Sequence, residues 1–145
     1  MSNYAGIDKT LRKALSDMAL GYKMVLENEN FDPTTLTADV WLEVFQLPAG
    51  TTSMMKTFAG AAAGSRGADE NTGIFQVSIL SKNINDGPAE VVGIADLLAN
   101  EFYHGKQYDD FEDVFIQGSD RNAGRIDGGF YRIDISVNWT SYVDR

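Results

Sequence analysis

The closing stretch of the chain, residues 130–143, has the clearest alternation of apolar and polar positions. Its sequence is FYRIDISVNWTSYV: every second residue from Tyr131 to Trp139 is large and apolar, and polar side chains fill the positions between. Successive side chains of a β-strand point to opposite faces, so this segment has one apolar and one polar face. Its β-branched and aromatic residues also favour strands. The pattern predicts a long strand, with one face in the core and the other facing water or a partner.

Two other stretches repeat their apolar residues every three or four positions, which predicts amphipathic helices. The first covers residues 6–20, and Gly21 after it predicts a helix C-cap. The second covers residues 88–103, where Pro88 suits the first helical turn. The residues predicted to be buried are Ile7, Leu11, Leu15 and Met18 in the first helix, and Val91, Ile94, Leu97, Leu98 and Phe102 in the second.

Four shorter apolar segments predict the remaining strands. They are residues 22–27, 38–47, 73–82 and 111–117. The segment 38–47 is apolar on both faces, because Trp41 and Phe45 alternate with aliphatic residues, and such a strand is usually covered on both faces by a helix or another subunit. The element order predicts an α+β fold, in which two helices pack on a mostly antiparallel sheet of about four to five strands.

Two links without periodicity separate these strands. Residues 48–73 leave a gap of about 25 residues, well beyond the few residues usual between elements, which indicates a functional or disordered loop between the second and third strands. Within it, residues 51–72 are predicted to be a flexible arm that projects between its flanking strands. The link 118–129 is rich in glycine but joins two strands, and it matches no phosphate-binding motif. It is predicted to be a hairpin loop.

Composition narrows the possible functions. The 145 residues suit one domain spanning residues 1–145. The chain has no cysteine and a single histidine, His104, which argues against disulfides, zinc sites and serine–histidine catalysis. A formal net charge of −9 repels nucleic-acid phosphates. No apolar run approaches the ~20 residues that span a bilayer, so a soluble intracellular protein without membrane association is predicted.

Candidate chemistry is sparse. The acidic cluster of Asp109, Asp110, Glu112 and Asp113 does not have the spacing of an EF-hand calcium loop, and a solvated entrance to a strand explains it more simply. His104 follows a predicted helix C-terminus, where a cation is favoured, and no nucleophile or paired acid is spaced to act with it. The sequence therefore predicts no catalytic residue, no bound metal and no cofactor. An interaction module is the function class that remains.

Three segments and their order resemble the tail terminator-like proteins of long-tailed bacteriophages. The segments are SRGADENTGIFQVSIL, PAEVVGIADLLANEF and YRIDISVNWTSY. The strand that opens with Gly73, the helix that ends at Phe102 near Gly105, and Trp139 in the final strand carry the likeness. It extends from about Ile7 to Tyr142, and residues 22–55 match loosely.

The resemblance implies a structural virion protein of the tail and neck, present in the host cytoplasm during assembly. Its subunits are expected to form a ring, a hexamer, that caps the tail tube, ends tube polymerisation and offers a surface to the head-side connector or stopper protein. DNA would pass through the lumen without specific binding. Candidate subunit or tube contacts are Trp41, Phe45, Arg66, Arg121 and Arg125, together with the polar face of the final strand.

Two alternatives stay open at this point. One is another ring of the neck, such as a head-completion or stopper protein, which would share the acidity and the loops. The other comes from a different class: a small-ligand, metal-binding or hydrolytic α+β domain that uses the acidic cluster. Such a domain should bind its ligand as a monomer or dimer, whereas a terminator should form rings with itself and with phage partners.

Overall fold

A computed structural model describes residues 4–27, 29–54 and 68–144. These residues form two helices, one 3-10 turn and seven strands. The helices are α1 (Tyr4–Asp17) and α2 (Gly87–Glu101), and the 3-10 turn is Pro33–Thr35. The strands are β1 (Lys23–Val25), β2 (Val40–Met54), β3 (Ala68–Ser81), β4 (Gln107–Tyr108), β5 (Val114–Arg121), β6 (Arg125–Asp127) and β7 (Phe130–Asp144).

The strands form one mixed sheet in the order β1-β2-β3-β7-β5-β4, and β6 pairs with β7. The predicted α+β class is confirmed, whereas the predicted four to five strands are too few. The sheet is larger because β4 and β6, with two and three residues, are too short to display a period of two. It is mixed because β1 pairs with β2 in parallel, whereas the other pairs are antiparallel.

The predicted final strand is confirmed as β7, which lies between β3 and β5. Four of its alternate apolar residues are buried: Ile133, Ile135, Val137 and Trp139. Since β3 and β5 both run antiparallel to β7, they are parallel to each other, and α2 crosses between them. The chain thus inserts its last strand into the middle of the sheet.

Both helices contribute to one main core, on the face of the sheet to which the buried residues of β7 point. The predicted stripe of α1 is buried at Ile7, Leu11 and Leu15. The helix ends at Asp17, earlier than predicted, and the left-handed residue nearest its end is Ala19 (φ 52°), so the predicted C-cap at Gly21 is wrong. The helix ends early because the amides of Met18 and Ala19 bond to carbonyls three residues back, at 3.2 and 3.0 Å, which tightens the last turn.

The predicted α2 is confirmed with one correction. Val91, Ile94, Leu98 and Phe102 are buried as expected, but Leu97 is 51% exposed. It follows Asp96 and precedes Leu98, and each step of one residue turns about 100° around a helix, so Leu97 falls off the stripe centred on Leu98.

The predicted loop over residues 48–73 is largely strand at its two ends. Strand β2 continues to Met54 and β3 begins at Ala68, with a continuous register from Pro48↔Gly73 to Met54↔Ala68 apart from one shift between Pro48 and Gly50. These small and polar residues have no apolar period, and their pairing across the sheet is non-local. Residues 55–67, including Arg66, lie outside the described part of the chain, so the predicted flexibility of the arm stays a prediction.

A second, smaller core lies on the other face of the sheet, beneath the connection between β1 and β2. Trp41 is 1% exposed there, with ring centroids 5.1 Å from Phe130 and 5.9 Å from Phe31. Val25, Leu80 and Leu36 complete the cluster. The prediction that β2 is covered on both faces therefore holds at Trp41, where the cover comes from this chain itself.

Candidate interaction surface

Beyond this small core, the sheet face opposite the helices lies open to solvent. We call this surface the open face. Its side chains come from four adjacent strands, because the registers of β2, β3, β5 and β7 bring alternate residues to the same side. Leu47 and Tyr142 are exposed apolar residues of these strands, at 48% and 45%. The open face consists of Phe45, Leu47, Ile74, Gln76, Phe115, Ser136, Asn138 and Tyr142.

The open face combines two apolar borders with a polar centre. Phe115 and Tyr142 pack edge to face, with ring centroids 5.8 Å apart, on one border. Phe45 and Leu47 lie on the other border, in β2.

The registers of the described strands also bring charged residues to this side of the sheet. Glu43, Glu70 and Asp120 are acidic, and Arg125 and Arg132 lie at one border, next to Asp134. The unpaired charges beside the open face are therefore mainly acidic, on a protein of net charge −9.

At the border of the open face where β3 ends and β7 begins, hydrogen-bond donors surround a carboxylate. The side chain of Asp134 is 9% exposed and accepts hydrogen bonds from the Ser78 hydroxyl at 2.5 Å, the Arg132 Nε at 2.8 Å and the Arg125 Nη2 at 2.9 Å. The Asn122 amide adds a fourth at 3.1 Å. We call these five residues the Asp134 network. It joins β3, β6, β7 and the β5–β6 turn.

Burial of Asp134 would raise the pKa of its carboxyl, but the hydrogen bonds from Ser78, Arg132, Arg125 and Asn122 outweigh that effect and hold the pKa well below its usual range. The carboxylate is therefore ionised at neutral pH, and its negative charge offsets one of the two guanidinium charges. The Arg132 Nη1 also lies 3.5 Å from a carboxylate oxygen of Asp127, so the two arginines together face two carboxylates and add little net positive charge next to the open face.

The five predicted contact residues do not form one site. Trp41 is covered by its own chain and offers almost no surface to a neighbour in this structure. Phe45 is half-buried on the open face. Arg125 belongs to the Asp134 network, and the Arg121 Nη1 lies 3.1 Å from an oxygen of Asp96 on α2, on the helical side of the sheet. Arg66 lies outside the described residues. Whether any of them contacts another subunit stays a prediction.

Sequence reasoning missed the residues that define the open face on the neighbouring strands, such as Leu47, Ile74 and Phe115. The alternating polar positions of β7 were the available signal, since they marked one face of that strand as uncovered. They did not reveal which strands lie beside β7, because strand pairing depends on residues far apart in the sequence. The Asp134 network was missed for the same reason.

The acidic cluster has a structural role. The Thr10 hydroxyl, which is fully buried on α1, accepts hydrogen bonds from the backbone amides of Phe111 and Glu112, both at 3.1 Å, and donates one to the Gly6 carbonyl at 2.8 Å. Lys13 lies 3.4 Å from Asp110. These contacts fasten the cluster to α1. The described residues include no group of three or more histidine, aspartate or glutamate side chains placed to hold a metal ion.

His104 also lies at a structural position. Its Nδ1 is 2.7 Å from the carbonyl oxygen of Gln117, which links the end of α2 to β5. As for membrane insertion, neither described helix is long and apolar enough to cross a bilayer.

Comparison with known proteins decides the family. The family model described as "Phage tail terminator protein" matches residues 6–139. The chain belongs to the phage tail terminator family. One solved structure has a TM-score of 0.69 with 22% sequence identity, over 97% of this chain and 96% of that one, which shows that the two share a fold. No curated protein matches the sequence.

Membership of the tail terminator family confirms the resemblance found in the sequence. Tail terminators are structural proteins of the phage tail, which places this chain in the tail of the virion, and they are not a known enzyme family. The family also implies interaction with the tail tube and with components of the head.

Proposed function

We propose that this tail terminator forms a ring, a hexamer, on the growing end of the tail tube. The ring ends tube polymerisation and presents a surface to the head-side connector or stopper protein. The family match over residues 6–139 carries this proposal. No covalent step is involved: the ring acts by occupying the tube end and by fitting its partners. Assembly of the ring would take place in the host cytoplasm, before the tail joins the head.

The open face is the described surface best suited to line the lumen of such a ring. Glu43, Glu70 and Asp120 lie on the same side of the sheet, and the arginines at its border are paired with Asp134 and Asp127. A surface of this kind makes no net attraction to DNA phosphates, so DNA would pass without being held. The apolar residues of β2, such as Phe45 and Leu47, lie at the side of this face and suit a contact with the next subunit.

The predicted arm spans residues 51–72, of which 51–54 and 68–72 belong to β2 and β3. We assign residues 55–67 between them to contacts with the tube or the connector, with Arg66 among the candidate contact residues. Segments that become ordered on binding are common in assembly proteins. Deletion of residues 59–69 should therefore alter tail length or prevent head joining. Unchanged tails and unchanged joining would refute this role.

The decisive experiment is the mass of the purified protein over a concentration series, by light scattering after size exclusion, with negative-stain images of the same fractions. The proposal predicts hexameric rings, or a monomer that forms rings once tail tubes are added. Tube length with and without the protein then separates a terminator from another neck ring, because a stopper would bind the head side without ending tube growth. A monomer that ignores tubes and is stabilised by a divalent metal or small ligand would overturn the proposal.

A further inference from the structure

Within the described residues, the sheet narrows to three strands at one end, where both of its outer edges lack a partner strand. We call this part the three-stranded end. It consists of residues 50–54 of β2, 68–72 of β3 and 140–144 of β7, paired in continuous register. On one side, the last residue of β2 that pairs with β1 is Glu43. On the other side, the pairing of β7 with β5 begins at Thr140 and runs away from this end. The next residue, Ser141, is fully buried, and its hydroxyl donates a 2.5 Å hydrogen bond to the Asp113 carbonyl. Among the described residues, no strand therefore pairs with the outer edges of 50–54 or 142–144.

An unpaired edge presents a row of backbone donors and acceptors to any extended chain, and proteins usually block such edges with charges, proline or bulges. The part of the β2 edge nearer the core is blocked in this way. The Glu27 carboxylate accepts a hydrogen bond from the backbone amide of Gln46, and Pro48, two residues later, has no amide hydrogen to donate. The register shift between Pro48 and Gly50 comes immediately after it along the strand.

The blocking devices stop where the three-stranded end begins. Residues 50–54 read GTTSM and contain no charged residue and no proline. On a chain of net charge −9, an uncharged strand is the part of the surface that an identical, equally acidic copy approaches with least repulsion. A basic partner would instead favour an acidic edge. The edge therefore suits a second copy of this chain.

The same end also supplies the complementary edge. Strands β2 and β7 both run antiparallel to β3, so they run in the same direction on opposite sides of it. Copies related by rotation about a ring axis keep their strand direction along that axis. The β2 edge of one copy and the β7 edge of the next would therefore form a parallel ladder, and this head-to-tail contact uses two different patches, as ring closure requires.

We propose that neighbouring copies join their sheets at this end, with residues 142–144 of one copy added as a strand beside residues 50–54 of the next. This inference rests on the proposed ring and names the contact that holds it together. Backbone hydrogen bonds provide the attraction, as in other cases of strand addition. Glu27, Pro48 and the register shift confine the pairing to the end of β2.

Disulfide trapping tests this contact directly, because the chain has no cysteine of its own. Thr52 and Tyr142 occupy the same row of the sheet, since both are paired with Glu70. Neighbouring strands are about 4.8 Å apart, within the Cα separation of roughly 4.4–6.8 Å that a disulfide spans. Thr52→Cys is combined in turn with Tyr142→Cys and Asp144→Cys, so that a register displaced by two residues towards the end of β7 is still detected.

Assembled rings of each double variant are oxidised and then run on a denaturing gel. The proposed pairing predicts that at least one double variant gives a ladder of covalent oligomers. Each single-cysteine variant should remain monomeric on the same gel, because a head-to-tail contact does not bring a residue next to its own copy. Thr52→Cys combined with Thr37→Cys, an exposed position near the other end of β2, is the matched control and should also remain monomeric.

Different failures are distinguishable. Rings that form normally but yield no ladder with either pair would overturn the strand pairing and leave the proposed function intact. Covalent dimers from Thr52→Cys alone would also overturn it, since they would show two β2 edges facing each other. A protein that forms no rings with or without tail tubes would refute the proposed function, and this inference with it.

Discussion

Gly73 lies directly opposite Trp139 across the β3–β7 pair, and the absence of a side chain at Gly73 makes room for the indole. A Cβ added at position 73 would lie 2.4 Å from the Trp139 Cζ2 and 3.0 Å from the backbone oxygen of Leu47. Real Cβ atoms do not approach other atoms at 2.4 Å. The indole Nε1 in turn donates a 3.3 Å hydrogen bond to the Gln46 side chain. The position of the indole is therefore fixed by its packing on Gly73 and by this hydrogen bond.

We therefore expect Gly73→Ala to destabilise the protein by about 1–3 kcal/mol, the usual cost of overpacking a core. Gly93, on the exposed side of α2, is the matched control, because an added Cβ there meets nothing within 4 Å. Gly93→Ala should stabilise the protein by about 0.5–1 kcal/mol, since glycine is unfavourable within a helix. Urea unfolding of both variants measures the difference. Equal stability of the two variants would contradict the close approach of Gly73 and Trp139.

The Asp134 network should make stability depend on pH in the acid range. Because the folded-state pKa of Asp134 is lowered below its unfolded value of about 4, its contribution is complete above that pH and is lost as pH falls towards the folded-state pKa. Asp134→Asn should thus lower the urea midpoint clearly at pH 7 and progressively less below about pH 4. Asp39→Asn, at an exposed position, is the control and should change the midpoint little. A deficit for Asp134→Asn that is independent of pH would argue against an ionised network.

Thr10 should be essential to the attachment of the acidic cluster. Thr10→Val keeps the shape of the side chain but leaves the amides of Phe111 and Glu112 without their acceptor, which should cost about 1–3 kcal/mol. Thr10→Ser keeps the hydroxyl and should lose about 1 kcal/mol or less, from one methyl group. Hydrogen exchange of the two amides is the more specific measurement: it should accelerate in the valine variant and remain slow in the serine variant. Unchanged exchange in both would show that the hydroxyl does not hold this segment.

Leu97 and Leu98 provide a direct test of how α2 is oriented. Leu98 is fully buried, so Leu98→Ala should lower the free energy of unfolding by about 2–5 kcal/mol. Leu97 is 51% exposed, so Leu97→Ala should change it by no more than about 0.5 kcal/mol. The midpoint of thermal or urea unfolding measures both. Comparable losses would mean that Leu97 is also buried.

Much of the fold could be predicted from local sequence patterns. The alternation over residues 130–143 located β7 and its buried face, and the period of three to four residues located α1 and α2. The predicted burial of Leu97 was wrong because a periodic pattern does not show how wide the buried stripe of a helix is. The predicted C-cap at Gly21 was wrong because the tightening of the last turn of α1 depends on packing rather than on the presence of a glycine. The order of three segments was enough to indicate the family.

Only part of the candidate interaction surface could be predicted from the sequence. The polar alternation of Arg132, Asp134, Ser136 and Asn138 marked an uncovered face of β7, but it did not indicate that Ser78, Arg125 and Asn122 would surround Asp134. Residues 48–54 and 68–72 were mistaken for loop because glycine, threonine and alanine have no hydrophobic period, and their strand conformation depends on pairing with each other and with β7.

Local sequence patterns were sufficient to predict the properties that depend on near neighbours along the chain. These are the α+β class, the two helices, the long amphipathic strand, and a strongly acidic, cysteine-free composition that argues against most catalytic chemistry. Four features depend on tertiary contacts: the insertion of β7 between β3 and β5, the parallel pairing of β1, the enclosure of Asp134 and, within the described residues, the unpaired edges of the three-stranded end. The physical reason is that a strand satisfies its backbone hydrogen bonds across the sheet, with residues distant in sequence, so its local pattern fixes which face is buried but not which strand lies beside it.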